Sequence, residues 1–154
     1  MGIEIERKFL TVSDEWRTRA EGVEFRQGYL CTDPAHTVRV RLVGKTGTLT
    51  IKGFATGASR AEFEYEIPFD DAEKMIADLC DRPIIEKKRY SFVENGHLWE
   101  VDEFQGENQG LVIAEVELES ESTAIDPPSW LGKEVTDDHR YSNAGLVRAP
   151  YSSW

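Results

Sequence analysis

Two cysteines are all that the 154 residues contain, and they lie far apart at Cys31 and Cys80. Neither belongs to a Cys-x-x-Cys or zinc spacing, so neither a disulfide framework nor a structural zinc underlies this fold. Two free thiols fit a reducing, cytoplasmic setting. Long apolar runs are missing too. No stretch approaches the roughly 18 residues that suggest a membrane span, and the charged opening from Met1 to Lys8 has no signal-peptide core. Gly2 follows Met1, but Glu6 stands where a myristoylation signal needs Ser or Thr. The chain therefore reads as soluble and intracellular, with no membrane partner. Positive charge is scarce: 18 Lys and Arg against 29 Asp and Glu leave a net −11. That balance opposes general binding to nucleic acid, whose phosphates want a broad basic surface, so no nucleic-acid partner is expected. Any polyanion must bind where the fold itself concentrates cations. His36, His97 and His139 share no metal-ligand spacing, and no serine sits in a nucleophile-elbow context. Trp16, Trp99, Trp130 and Trp154 read as packing residues.

What the chain does contain is alternation. Segments at about 3–10, 23–32, 36–43, 48–53, 60–68, 84–94, 97–104 and 111–119 are rich in Val, Ile, Phe and Tyr and mostly alternate, as strands do. Asn95-Gly96 between two of them signals a two-residue hairpin turn. Gly44-Lys45-Thr46-Gly47 marks another tight connection. Helices are fewer: one from Ser13 or Asp14 to about residue 20, one capped by Asp70 and running to Cys80, and one from Asp137 or Asp138 to about Asn143. Pro127-Pro128 sets this last segment apart from the strands. With no repeat, low-complexity tract or linker, residues 1–154 read as one domain, large enough to bury roughly 68–70% of its unfolded surface. The fold class is mainly β (α+β). Eight strands joined largely by hairpins suggest a closed antiparallel barrel with a few peripheral helices.

Like charges recur two residues apart: Glu4-x-Glu6 followed by Lys8, Arg39-x-Arg41, Glu62-x-Glu64, Lys87-x-Arg89 and Glu115-x-Glu117. Residues two apart on a strand share one face of the sheet. Periodicity alone favours charges on a wet outer face. Three features argue the other way. The signs are segregated, although a merely soluble face gains more from mixing them. The opposite face is apolar at Val38, Val40, Leu42, Leu49, Ile51, Phe63, Tyr65, Val116 and Leu118, and helices and loops outside a barrel can cover it. So many dry ions would cost several kcal/mol each, so a charged lumen needs water, metal or an anionic ligand inside it. Carboxylates and cations on one face suit a metal-bound, highly anionic ligand.

The motif order Glu4-x-Glu6-x-Lys8, Arg39-x-Arg41, Lys52, Glu62-x-Glu64, Lys87-x-Arg89 and Glu115-x-Glu117 resembles that of the CYTH superfamily, the triphosphate tunnel metalloenzymes, along nearly the whole chain. The resemblance implies an eight-stranded antiparallel tunnel with its charges pointing inward. It implies a divalent cofactor, Mg²⁺ or Mn²⁺, on Glu4, Glu6, Glu115 and Glu117, with Asp102 as a further carboxylate. Lys8, Arg39, Arg41, Lys87 and Arg89 resemble the phosphate-binding cations, and Lys52 and Tyr29 a pair implicated in the chemistry of some members. Glu62, Glu64 and Glu66 share one face, so two pairings are open for the second acidic motif. Arg60 shares that face as well, and a solvated position suits it equally. The activity implied is hydrolysis of a small triphosphate, with inorganic tripolyphosphate, cleaved to pyrophosphate and phosphate, as the leading substrate. Class IV adenylyl cyclase and thiamine triphosphatase are the alternatives within the family, and a polyphosphate- or nucleotide-binding module is the non-enzyme alternative. The apolar tail around Leu146, Val147, Pro150, Tyr151 and Trp154 can pack on the barrel or on a second copy in a homodimer.

Overall fold

The computed structural model describes residues 2–154. Eight strands form an antiparallel barrel: β1 (Gly2–Thr11), β2 (Val23–Cys31), β3 (His36–Val43), β4 (Thr46–Gly53), β5 (Ser59–Ile67), β6 (Ile85–Glu94), β7 (His97–Phe104) and β8 (Val112–Glu117). Neighbours run β5-β4-β3-β2-β6-β7-β8-β1, and β1 pairs back onto β5 with Glu4 opposite Arg60, which closes the ring. Closure leaves no exposed sheet edge among these eight. Asn95 and Gly96 join β6 to β7 with φ of 52° and 80°. Both central residues of a type I′ turn need positive φ, and an asparagine followed by glycine supplies it at low cost.

A ninth strand, β9 (Leu131–Glu134), extends the sheet on β1, with Phe9 opposite Glu134. This corrects the expectation that everything after Pro127-Pro128 stands apart from the strands. The four residues Leu131, Gly132, Lys133 and Glu134 are too short and too weakly alternating to signal a strand by themselves.

Two hydrophobic clusters coat the outside of the barrel. Phe9, Tyr90, Phe92, Trp99, Val101, Val116 and Leu118 point outward from β1, β6, β7 and β8 or just beyond β8, and Trp16 and Trp130 cover them from connecting segments. Trp99 and Trp130 meet edge to face at 5.4 Å between centroids, a favoured aromatic geometry. On the other side α1 (Phe69–Asp78) lays Ala72 and Ile76 on Val40 and Leu42, with Cys80 just after it. Gly28 on β2 lets Cys80 approach: a Cβ there would lie 2.6 Å from the Cys80 Cβ. The helix starts two residues earlier than expected, with Pro68 rather than Asp70 at its N-cap. Coverage is incomplete over β4 and β5. Ile51, Phe63 and Tyr65, expected under a helix or loop, remain substantially exposed, Tyr65 at 57%. The helix reaches β2, β3 and β4 but stops short of that stretch.

A third cluster lies inside. Tyr29, Ile85, Phe104 and Ile113 share the inward parity of the charged residues, and they pack with Leu111, Ala144, Leu146 and Val147. The last three belong to α2 (Asn143–Arg148), which stoppers that end of the barrel. The expected single helix from Asp137 or Asp138 to Asn143 is instead a 3₁₀ turn at His139–Tyr141 followed by α2. Ser142 divides them: its hydroxyl accepts the Gly145 N–H at 2.9 Å and caps α2. Among the described residues no helix is long and apolar enough to cross a membrane.

Candidate active site

Inward parity at the remaining positions gives the barrel a charged lumen. Register fixes the neighbours: Lys8 lies opposite Glu115, Glu6 opposite Glu117, Arg41 opposite Gln27, Lys52 opposite Glu62, and Arg89 opposite Asp102. One cavity is lined by eight of the chain's 18 lysines and arginines: Lys8, Arg39, Arg41, Lys52, Arg60, Lys87, Arg89 and Arg148. Only Glu6 and Glu115 line it among the carboxylates, and Tyr29 lines it at the apolar end. The sign segregation read along the strands therefore becomes a spatial segregation, with anion-seeking groups concentrated in one space.

Most of these cations lean on a carboxylate. Lys8 Nζ is 3.2 Å from Glu6, and Lys52 Nζ is 2.8 Å from Glu4 and 3.5 Å from Glu62. Arg39 Nη2 donates to the Thr50 hydroxyl at 3.0 Å and reaches Glu64 at 3.4 Å, while Thr50 donates to Glu64 at 2.8 Å. Glu62 and Glu64 thus meet tunnel cations, whereas Glu66 is exposed and forms no ion pair among the described residues. Arg39 Nε is buried without a hydrogen-bond partner among the described residues, a donor that an anionic ligand could satisfy.

Asp102 is 0% exposed and does not line the cavity. Its carboxylate accepts Lys87 Nζ at 2.7 Å, Arg89 Nε at 2.7 Å and Arg89 Nη2 at 2.9 Å. Burial alone would raise this carboxyl, but Lys87 and Arg89 outweigh it and hold it well below the usual carboxylate range. Burial draws Lys87 below the usual ammonium range despite Asp102. Arg89 also reaches Glu100 at 3.2 Å.

The acidic set sits around Glu4, Glu6, Glu115 and Glu117. Burial, then the neighbouring Glu6 charge, pushes Glu115 up to about 7. Burial followed by Glu6 raises Glu4, and burial followed by Glu4 and Glu6 raises Glu117. Burial opposes ionisation of Glu6 as well, but Lys8 and Lys52 overcome it and hold that carboxyl low. Mutually repelling carboxylates of this kind are hard oxygen donors whose repulsion a divalent cation would relieve, which suits Mg²⁺ or Mn²⁺ rather than a thiophilic metal. Among the described residues no three are already drawn into one ligand cage. Glu4 and Glu6 turn instead to Lys52 and Lys8.

Several residues at the site carry no advance signal. Phe25 and Gln27 share the inward parity of Tyr29, which is the one hint the sequence gives of them. The Phe25 ring lies 4.8 Å from the Arg41 guanidinium, 4.9 Å from that of Arg89 and 5.8 Å from Lys87 Nζ. Arg60, equally compatible with a solvated position, lines the cavity and donates to Gly53 O at 3.1 Å. His139, Asn143 and Arg148 line it from the C-terminal segment. Arg140 does not: it is exposed, bonded to Asp138 and stacked 5.0 Å from the Trp154 ring.

The CYTH domain family model matches residues 2–148. The inorganic triphosphatase of Acetivibrio thermocellus is 51% identical over 154 residues, covering 100% of this chain and 99% of the relative. The inorganic triphosphatase of Nitrosomonas europaea is 39% identical over 149 residues, 94% of this chain and 96% of the relative. The crystal structure of the inorganic triphosphatase NE1496 superposes with a TM-score of 0.67 at 37% identity, covering 94% of this chain and 93% of that one.

Proposed function

This chain belongs to the CYTH family, and on that premise we propose that it is a divalent-metal-dependent triphosphatase acting on inorganic tripolyphosphate. The products are pyrophosphate and phosphate. One observation carries this reading: eight cations converge on a single cavity beside a set of mutually repelling carboxylates.

Phosphoryl transfer needs positioning and charge neutralisation more than covalent help from the protein. Arg39, Arg41 and Arg89 suit bidentate contact with phosphate oxygens, and Lys8 and Lys87 act as point charges. Mg²⁺ or Mn²⁺ held by Glu4, Glu6, Glu115 and Glu117 would neutralise phosphate charge and lower the pKa of bound water. Water attacks the terminal phosphorus as the anhydride bond breaks, and pyrophosphate leaves with the bridging oxygen. Lys52, freed from Glu4 and Glu62, stabilises the charge growing on that oxygen. Tyr29, buried at the edge of the same cavity, orients or protonates it. Glu64 keeps Arg39 extended into the lumen, and Glu62 holds Lys52 there until the substrate draws it away. Asp102 departs from the metal part that the resemblance gives it. Its burial and its three accepted bonds support a different role, as the counter-ion that orients Lys87 and Arg89.

The test is phosphate release by purified protein with Mg²⁺ or Mn²⁺ from tripolyphosphate, thiamine triphosphate and ATP, with cyclic AMP assayed alongside. Rapid metal-dependent release from tripolyphosphate is expected. Cyclic AMP from ATP would reassign the chain to cyclase chemistry, and silence on all substrates from folded protein would overturn enzymatic function.

A further inference from the structure

Arg41 differs from its neighbours in the lumen. Lys8, Arg39, Lys52, Lys87 and Arg89 each have a carboxylate within 3.5 Å, whereas Arg41, like Arg60 and Arg148, forms no ion pair among the described residues. Of these three it is Arg41 whose guanidinium burial, then the charges of Arg39 and Arg89, pushes down to about 9. A half-buried arginine facing two other arginines is costly unless something fixes it.

Two carboxamides do so. The side chain of Gln27 is 0% exposed on the inner face of β2. Its Oε1 accepts Arg41 Nε at 2.7 Å, and its Nε2 donates to Asn143 Oδ1 at 2.9 Å. The same Asn143 oxygen accepts Lys87 Nζ at 3.0 Å. One amide on the barrel wall and one at the start of α2 thus tie two cations from different strands into a single chain of hydrogen bonds.

The choice of amides is the informative part. An apolar residue at position 27 would leave Arg41 Nε unsatisfied. A carboxylate would satisfy it but would cancel the charge that attracts the ligand. A carboxamide oxygen accepts the bond and leaves the positive charge whole. With Nε engaged, the terminal nitrogens of Arg41 are the donors left for an anion.

We propose that Gln27 and Asn143 are positioning residues that hold Arg41 and Lys87 ready, with Arg41 uncompensated, to receive a phosphoryl group. The proposal rests on the triphosphatase reading, and it explains why two neutral amides stand in a lumen built largely from ions.

The deciding variant is Gln27→Glu, which keeps the bond to Arg41 and supplies a counter-charge while giving up the donor to Asn143. Asn143→Asp supplies a counter-charge toward Lys87. The added carboxylate competes with phosphate for the cation, so each should raise KM for tripolyphosphate about tenfold or more. Asn143→Asp keeps both bonds that Asn143 accepts, so a purely structural role would be served equally well by it; its melting temperature should hold and kcat should fall far less than KM rises. Unchanged KM in folded Gln27→Glu protein would overturn the proposal, as would loss of kcat together with loss of melting temperature in Asn143→Asp. Calorimetric binding of tripolyphosphate in EDTA separates this outcome from failure of the functional reading. If the wild-type protein binds tripolyphosphate in EDTA but does not hydrolyse it when Mg²⁺ or Mn²⁺ is supplied, the functional reading fails. About tenfold weaker binding by Gln27→Glu would then still support the positioning role, and equal binding would overturn it. No binding in EDTA together with no turnover when Mg²⁺ or Mn²⁺ is supplied overturns both.

Discussion

Arg89 and Asp102 face each other across the β6–β7 ladder, and the guanidinium grips the carboxylate with both Nε and Nη2, at 2.7 and 2.9 Å. Lys87 shares the second oxygen, so one buried negative charge serves two buried positive ones. Asp102→Asn would strand both cations, and breaking a buried pair from one side costs about 3–5 kcal/mol. The urea midpoint should fall accordingly and recover in part when tripolyphosphate supplies the missing negative charge. An unchanged midpoint would remove Asp102 from this role.

Stability of the metal-free protein should depend on Glu115. Its pKa in the folded chain, about 7, lies above the ordinary 4.5. A carboxyl raised in this way contributes stability that is complete below its unfolded pKa and lost as pH rises through the folded value. Glu4 and Glu117, also raised, act in the same direction. Melting temperature in EDTA should therefore drop between about pH 5 and pH 7 from these groups, and Glu115→Gln should flatten that slope.

Glu4→Gln and Glu117→Gln test the acidic set from two neighbouring strands, β1 and β8. Each should lower metal-dependent turnover by at least about 100-fold. Glu117 is exposed, so its Glu117→Gln variant should stay within about 0.5 kcal/mol of wild-type stability. Full metal-dependent activity in either variant would remove that residue from the site.

The stopper can be loosened without touching a charge. Leu146 is fully buried among Tyr29, Ile85 and Phe104. Leu146→Ala should cost about 2–5 kcal/mol by urea denaturation, because a cavity remains where the side chain was. A cost near zero would mean that α2 does not fill the barrel in solution.

Ligand linkage gives a test independent of turnover. Tripolyphosphate in EDTA, where no turnover occurs, should stabilise the fold by about 2.7 kcal/mol at about 100 times its Kd. A barrel whose charges are merely solvated would show no such gain in thermal melts.

The strands were legible from a period of two, which also puts like charges on one face. That this face points inward came from the family resemblance, since periodicity alone favours a wet outer face. Glu4, Glu6 and Lys8 must share a face once β1 is extended, and Asn95-Gly96 must turn. Legibility ends where tertiary closure decides. Ile85, Phe104 and Ile113 have the same parity as Lys87, Asp102 and Glu115, yet they bury hydrocarbon against α2, and no periodicity separates the two halves of one face. Asn143 joins the site only because the chain returns after β9 to close one end. Asp102 shows the reverse limit: its position along the strand matched the family pattern, but its partners across the ladder decide what its carboxylate does. Tyr65 and Phe63 lie outward as their alternation requires, but alternation says nothing about whether a helix reaches far enough to cover them.

Concentrating cations in the lumen also has a kinetic consequence for the outside. With eight of 18 lysines and arginines lining one cavity, the rest of the surface is left with a large excess of the 29 acidic side chains. A bare polyanion approaching from bulk meets repulsion first and attraction only within about one Debye length of the mouth, roughly 8 Å at physiological salt. Moderate salt should therefore speed its capture while shortening its stay, the reverse of ordinary electrostatic steering toward a basic surface. A triphosphate already carrying a divalent cation crosses that outer barrier at a lower cost. The surface thus acts as a filter that favours the metal-complexed form before any contact inside the barrel is made.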